Sequence, residues 1–409
     1  MFPFGRGLQA MFISIHALTP YAGVLLNRDE TGLAKSMPFG GVPRTRVSSQ
    51  AQKYHWRATL RERIEQGEFS VPDLAVRSRR IFDLRVLDML VKAGLPEKTA
   101  EALTRASMDA ILQKSKKGGT TTKATEDETE AETGDQRLAT GQAIMLGERE
   151  IAFLTDTALK IGGPHGDDHK SAAKALAEHY KSADAKKNLA ALPMSLEAAL
   201  FGRFVTSDLL ANTDAAIHVA HAFTVHAAAR ELDYMTAVDD LVDTGAGFVG
   251  DTEITSPVLY GFVVADVRQL VGNLGGDREL AARLVEEIGI IIATGSIGAK
   301  LGSTAPYSRA AFVMIEASNS QPRSLAAAFE TPVKAENDGG YVRPSIRAVA
   351  DYLAREREMY GEAVPAVYAS LHRDIEIGDR ERLPLAKVVS FAARAVITPG
   401  QSVGGITEK

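Results

Sequence analysis

The chain has 409 residues, 45% hydrophobic and 24% charged, with no cysteine and a formal net charge of -5. This is the composition of a globular protein long enough to bury a core; it excludes disulfides and thiolate metal sites, and no apolar run approaches the roughly 18 residues of a membrane span. An acidic balance argues against nucleic-acid binding by the whole surface and leaves room for one focused basic groove. Residues 1–10 read as a flexible extension without a convincing cleavage site, and a reducing cytoplasm is the expected compartment. Phe12–Leu18 alternates apolar with small or polar residues and reads as a strand that Pro20 ends. His16 within it is expected to be packed and hydrogen-bonded.

A basic block follows, from Asn27 to Arg57. It carries Arg28, Lys35, Arg44, Arg46, Lys53 and Arg57 against two acids, Asp29 and Glu30. Pro38, Gly40, Gly41 and Pro43 mark a turn before Arg44-Thr-Arg46, and Ser48-Ser49-Gln50 opens a helix. Lys53 and Arg57 stand four apart and share one face of that helix. Cations beside a glycine turn and a helix start suit a run of phosphates. Tyr54 and Trp56 interleave the cations; they cannot both face outward with Lys53 and Arg57, so one belongs to the core.

From Arg57 to Gln113 the pattern is helical, with Ile81, Leu84, Leu87 and Val91 predicted as one apolar face. Arg77, Arg79, Arg80 and Arg85 form a second basic group, read as a solvated face. Residues 114–140 hold almost no large apolar side chain and a dense run of acids, a composition expected to form a disordered or exposed loop. Helical pattern resumes over Ala143–Ile161 and Lys170–Lys187, either side of a loop with His165, Asp167, Asp168 and His169. That loop matches no metal signature and is expected to be solvated.

Leu200–Val205 and the alternating stretch Ile217–His226 read as strands. Glu231–Pro257, polar and glycine-marked, reads as a projecting hairpin. Val258–Val264 and Ala310–Ile315 are further strands, with helices over Asp277–Thr294 and Pro344–Gly361. For Phe204, beside Arg203, spacing leaves base contact and core packing equally open. No Walker loop, nucleophile elbow, zinc-protease helix or dinucleotide fingerprint occurs. The architecture predicted from these elements is one α+β sheet domain interrupted by insertions.

The run FISIHALTPYAGVLLNRDETGLAKSMPFGGVPRTRVSSQAQKYHWR resembles the CasC-type backbone subunit (RAMP superfamily) of the type I-E CRISPR complex Cascade. Leu200–Ser207, Asp214–His226, Tyr234–Asp240, Gly275–Thr294 and the Val313–Met314 strand resemble the same family, in order. The resemblance implies a modified RRM (ferredoxin-like) palm with a helical fingers insertion and a thumb hairpin. The implied organisation is palm over 11–57, fingers over 58–192, palm over 193–230, thumb over 231–257, and palm with C-terminal helices over 258–398, with residues 399–409 a flexible end.

It also implies a non-catalytic subunit without cofactor or metal that polymerises head to tail along a crRNA guide. Such a subunit presents the guide to a target DNA strand and binds other Cascade subunits. Matched position by position, Arg28, Lys35, Arg46, Ser48, Gln50 and Lys53 contact the guide backbone. Asn27, Arg44, Ser49 and Arg57 complete the candidate surface. Arg203 and Phe204 lie at the guide's kink, Phe204 where the family often has Met, and Met235, Thr236 and Val249 belong to the thumb. Tyr54 stands where a basic residue is frequent. Two rival readings are a metal-dependent endoribonuclease of the same superfamily, acting through Asp29, and a monomeric RRM-like RNA-binding protein.

Overall fold

The computed structural model describes residues 12–71, 73–112, 138–203, 210, 212–238, 246–298, 301–336 and 339–397; for 236–238 and 246–249 it describes the backbone alone. The predicted acidic loop and both predicted flexible ends fall largely or wholly outside these residues. The chain divides into two compact units. The first runs to Phe69 and resumes over Ile217–Gly272 and from Gly276; the second is Ser70–Ala216 with Asn273–Gly275.

The first unit begins with strands β1 (Phe12–Pro20), β2 (Ser36–Phe39) and β3 (Val42–Val47) and helix α1 (Ser49–Glu65). The second holds β4 (Ala75–Ser78), a π-helical segment (Phe82–Leu87) running into α2 (Asp88–Lys92), and α3 (Glu97–Leu112). It continues with β5 (Ile144–Gly147), α4 (Glu148–Gly162), α5 (His169–Lys181), α6 (Ala183–Ala190) and α7 (Leu196–Phe201). The chain then returns to the first unit through β6 (Ile217–Val219), β7 (Ala222–Thr224), β8 (Glu231–Val238), β9 (Ala246–Ile254) and β10 (Val258–Asp266). After α8 (Val267–Asn273) come α9 (Arg278–Thr294), α10 (Leu301–Thr304), β11 (Phe312–Ser318), α11 (Val342–Tyr360), β12 (Ala366–Ser370), β13 (Glu381–Arg382) and α12 (Leu385–Ile397).

The main sheet has the order β13-β12-β11-β1-β10-β7-β3-β2, with β6 also paired to β10. Its centre is a β-α-β-β-α-β unit: β1, α1, the interrupted β6/β7, β10, α9, β11. Ranked by sequence, these strands lie side by side as fourth, first, third and second, all antiparallel. That is the ferredoxin-like order of an RRM. The α+β palm implied above is therefore the observed fold of this unit.

Strand alternation gives the sheet two apolar faces. On one, Gly289 of α9 lies so close to Val389 of α12 and Ile315 of β11 that a Cβ there would stand 3.0 Å from Val389 Cγ1. On the other, Leu18, Tyr260, Phe312, Met314 and Tyr368 pack with Leu325, Phe329, Ile346, Val349 and Leu353, so α11 and the 3-10 turn Ala326–Phe329 cover the sheet. Tyr341, at the head of α11, stacks on His226 at 4.1 Å between ring centres.

A polar network lies beneath this cover. His16 Nε2 lies 3.4 Å from Glu316 Oε2, and His16 Nδ1 lies 2.9 Å from Tyr260 Oη. Arg323 bonds both Glu316 and Glu356. His16 is packed and hydrogen-bonded, as expected.

The second unit is built on Phe82, Val86, Leu90, Leu103, Leu146, Leu154, Leu176 and Tyr180. Three sequence expectations change here. The predicted face Ile81, Leu84, Leu87, Val91 is buried only in part: Ile81 is buried and Leu87 partly so, but Leu84 is 54% and Val91 43% exposed, and Phe82, Val86 and Leu90 complete the buried side. The wider turn of the π-helical segment Phe82–Leu87 rotates the residues after it. Short strands β4 and β5 pair within stretches predicted to be wholly helical. Leu200 belongs to helix α7 rather than to a strand, because Leu196, Ala198, Ala199 and Leu200 are buried together.

Burial alone would raise the Glu316 carboxyl, but the His16 bond and the nearby charges of His16, Arg323 and Arg380 hold it below its ordinary value of 4.5. A depressed folded value adds stability that is present above the unfolded value and lost as pH falls through the folded one. Glu316→Gln should lose about 3 kcal/mol near neutrality and shed that part of the acid-induced loss. Urea unfolding across the acid range checks this; a curve parallel to the wild type at every pH contradicts it.

Candidate nucleic-acid interface

The β2–β3 hairpin turns on Gly40 and Gly41, both with positive φ (61° and 76°). These are the conditions for a tight two-residue hairpin turn. Gly40 also lies against the backbone of Glu330, where an added Cβ would overlap the carbonyl oxygen. Arg44 is completely buried under this turn. Its guanidinium donates to the carbonyls of Phe39, Thr224, Phe329 and Glu330 and lies over the Phe39 ring at 5.6 Å. Arg44 is thus a strut of the fold, and its assignment to the candidate surface is corrected.

Arg46, two residues on, points to the same side of β3, where the cover ends. It is only half-buried. Its Nε donates to Ser36 O at 3.2 Å and a terminal nitrogen lies 2.9 Å from His221 Nδ1. Its backbone N–H donates to Lys35 O, which brings Lys35 alongside.

Asn27 draws the loop before β2 onto the junction of β3 and α1. Its carbonyl accepts from Lys35 N and its Oδ1 from Ser48 N. Ser48 then caps α1, accepting from Ala51 N. Asn27 and Ser48 therefore act through backbone geometry. They hold in one neighbourhood the exposed Arg28, the half-buried Lys35, Arg46 and Ser49, and the exposed Gln50.

Down α1, Lys53 and Arg57 follow on one face, with Tyr54 61% exposed and Trp56 in the core. Burial and the charge of Arg57 both lower the Lys53 pKa. No acid stands in the first turn of this helix. A cationic face strained by its own repulsion is stabilised by an anion. Asp29 shapes the loop rather than facing it: its Oδ1 accepts from Thr31 N, Thr31 Oγ1 and Leu33 N. The Thr31 hydroxyl bond is the largest cause of its lowered pKa.

The hairpin predicted over Glu231–Pro257 is present as the two-stranded ribbon β8–β9. Its root is tied to the basic loop, since Glu253 accepts from Ala34 N at 2.6 Å and pairs with Arg230. Leu232 (62% exposed), Tyr234 and Met235 stand out on β8. Thr236 and Val249 face each other in the ladder.

Arg203 is placed elsewhere. In the second unit it is buried, with one terminal nitrogen 2.6 and 2.7 Å from the two carboxylate oxygens of Glu150. Its side chain is engaged in a buried ion pair, which corrects the reading of Arg203 as a guide contact. Phe204 lies outside the described residues. The second basic group is largely spent internally: Arg80 pairs with Asp83, Arg85 with Glu148, and Arg79 donates to Thr140 O. In the histidine loop, Asp168 caps α5 through Ser171 N. Among the described residues no cluster of three His, Cys, Asp or Glu is placed to hold a metal.

Sequence reasoning missed His221 and Gln52. His221 was read as one residue of a continuous strand. The strand in fact breaks at Ala220–His221, between β6 and β7. Gln52 bonds to the chain at that break, donating from α1 to both Val47 O and Ala220 O.

A model of the CT1975-like protein family matches residues 13–393. The chain belongs to this family of Cas proteins. A solved structure described as a CRISPR RNA-guided surveillance complex, pre-nicking, contains a chain 27% identical to this one, at TM-score 0.73, covering 94% of this chain and 100% of that one. A chain of a second CRISPR RNA-guided surveillance complex, 24% identical, shares the fold at TM-score 0.65 over 94% of this chain and 99% of its own. No curated protein matches the chain. The CT1975-like chain thus has a role in CRISPR defence, and among its described residues no helix is long and apolar enough to cross a membrane.

Arg44 and Arg46 should separate cleanly in this family member. Arg44→Met removes the donor from four backbone carbonyls, two of them in fully buried bonds, and should cost about 3 kcal/mol or more. Arg46→Met, at the solvent edge, should cost under about 1 kcal/mol. Urea denaturation of the two variants measures both; equal losses would contradict the assignment.

Proposed function

We propose that this CT1975-like protein is a guide-RNA-binding backbone subunit of a CRISPR surveillance complex. In this reading it has no catalytic step of its own and assembles in several copies, head to tail, along the crRNA. One observation carries the reading: the sheet face on which an RRM stacks bases is sealed by α11, while cations gather at the uncovered edge. A protein built this way grips the phosphate backbone and leaves the base edges free, which suits a guide whose sequence is read by pairing with target DNA. The guide-binding set is Arg28, Lys35, Arg46, Ser49, Gln50, Lys53 and Arg57, held in place by Asn27 and Ser48.

The ribbon β8–β9 supports the assembly. An isolated two-stranded ribbon is marginal in water, and this one displays Leu232, Tyr234 and Met235 to solvent. A neighbouring copy with its guide gives those side chains a partner. Head-to-tail growth of this kind is heterologous, and other subunits of the complex must end it.

Combined Arg46→Ala and Lys53→Ala should release guide from the assembled complex. The slope of log affinity against log salt should flatten by about 1.4, the counterion release of two phosphate contacts on a single strand. Unchanged retention and slope in a filter-binding titration would sink the assigned role. Guide-complementary RNA incubated with the complex and Mg²⁺ should stay intact. Cleavage that disappears in Asp29→Ala would establish an endoribonuclease instead.

A further inference from the structure

We infer that His221 is a positioning residue of the guide-binding surface, one that aims the Arg46 guanidinium at an RNA phosphate by accepting a hydrogen bond from it. The inference rests on the guide-binding reading above. The Arg46 guanidinium has two internal attachments: its Nε donates to Ser36 O, and one terminal nitrogen donates to His221 Nδ1 at 2.9 Å. Together they fix the plane of the guanidinium fork. These two bonds use two of the five guanidinium N–H protons and leave both protons of the second terminal nitrogen and one of the first to meet a phosphate.

His221 is itself mounted rigidly. Ala220 N donates to Phe262 O of β10, and Ala220 O accepts from Gln52 of α1. The next residue, Ala222, opens β7, which pairs with β3 at Val47, while Phe223 pairs with Arg46. Helix α1 and strands β10 and β3 therefore all locate the imidazole.

The bond requires a neutral ring, because a guanidinium donates only and Nδ1 must offer a lone pair. Burial, then the charges of Arg46 and Lys35, lower the His221 pKa and favour that form. These are the charged groups that face the ring from β3 and from the loop before β2. The sole ring proton is then on Nε2.

The two ring nitrogens can be told apart by substitution. Asparagine places its amide oxygen near the position of Nδ1, and glutamine places its amide near Nε2. Guide binding by assembled complex, measured in a filter-binding salt titration, should weaken about tenfold in His221→Ala, with the salt slope reduced by about 0.7. His221→Asn should restore both and His221→Gln should not. In an Arg46→Ala background, His221→Ala should cause no further loss. If neither amide restores binding, the absence of a further loss in that background still supports the role.

Rescue by glutamine but not asparagine would mean direct contact through Nε2 and overturns the inference. So does wild-type binding by all three variants, or a further loss in the Arg46→Ala background. Loss in Arg46→Ala with none in His221→Ala overturns this inference alone. Full binding by Arg46→Ala overturns it together with the guide-surface reading. His221 is exposed, so the thermal midpoint should hold in every variant and separate lost binding from lost folding.

Discussion

The buried guanidinium of Arg44 ties together the parts on which the candidate surface depends. It holds the β2–β3 turn, the β7 carbonyl at Thr224 and the end of the 3-10 turn at Phe329 and Glu330. A charge removed from water is stabilised only when its donors are matched, and here each acceptor is a backbone carbonyl. Because the turn is anchored, β3 has a fixed register. Because β3 has a fixed register, Arg46 emerges where the cover of α11 stops. Ser48 then begins α1 at a defined point, and Asn27 draws the preceding loop onto it.

This acidic chain divides its cations into two classes. One is consumed within the fold: Arg44 on carbonyls, Arg203 on Glu150, Arg323 on Glu316 and Glu356. The other gathers around the β3–α1 junction, where burial and the charge of Arg57 lower the Lys53 pKa and the first helical turn has no acid. A carboxylate could have neutralised this region. Asp29, within the basic block, accepts from Thr31 and Leu33 instead.

Much of the first unit was legible in the sequence. Alternation over Phe12–Leu18 and the apolar run Val258–Val264 gave β1 and β10, the glycine pair gave a turn though not the strands it joins, and Ser48-Ser49-Gln50 gave the start of α1. Each of these signals depends on neighbours within a few residues, which is where sequence carries information about backbone shape. The second unit was read less well. There a π-helical segment shifted the apolar register from Leu84 and Val91 to Phe82, Val86 and Leu90, and a change in helical pitch leaves no mark on a pattern read at fixed period.

The sequence by itself determined that a basic block stands in an acidic chain, that it spans a glycine turn and a helix start, and that one of Tyr54 and Trp56 must be core. Those conclusions follow from charge and from helical geometry alone. Only the tertiary structure decided which cations remain available. Arg44 and Arg46 are equivalent by spacing, two residues apart on one strand, yet one is a completely buried strut and the other only half-buried. The difference is made by Phe329 and Glu330, nearly three hundred residues away, which cover the first and stop short of the second. His221 reached the site in the same way, at a break to which Gln52 bonds from another element. A residue's partners across the fold, rather than its neighbours in the chain, settle whether its charge is spent or offered.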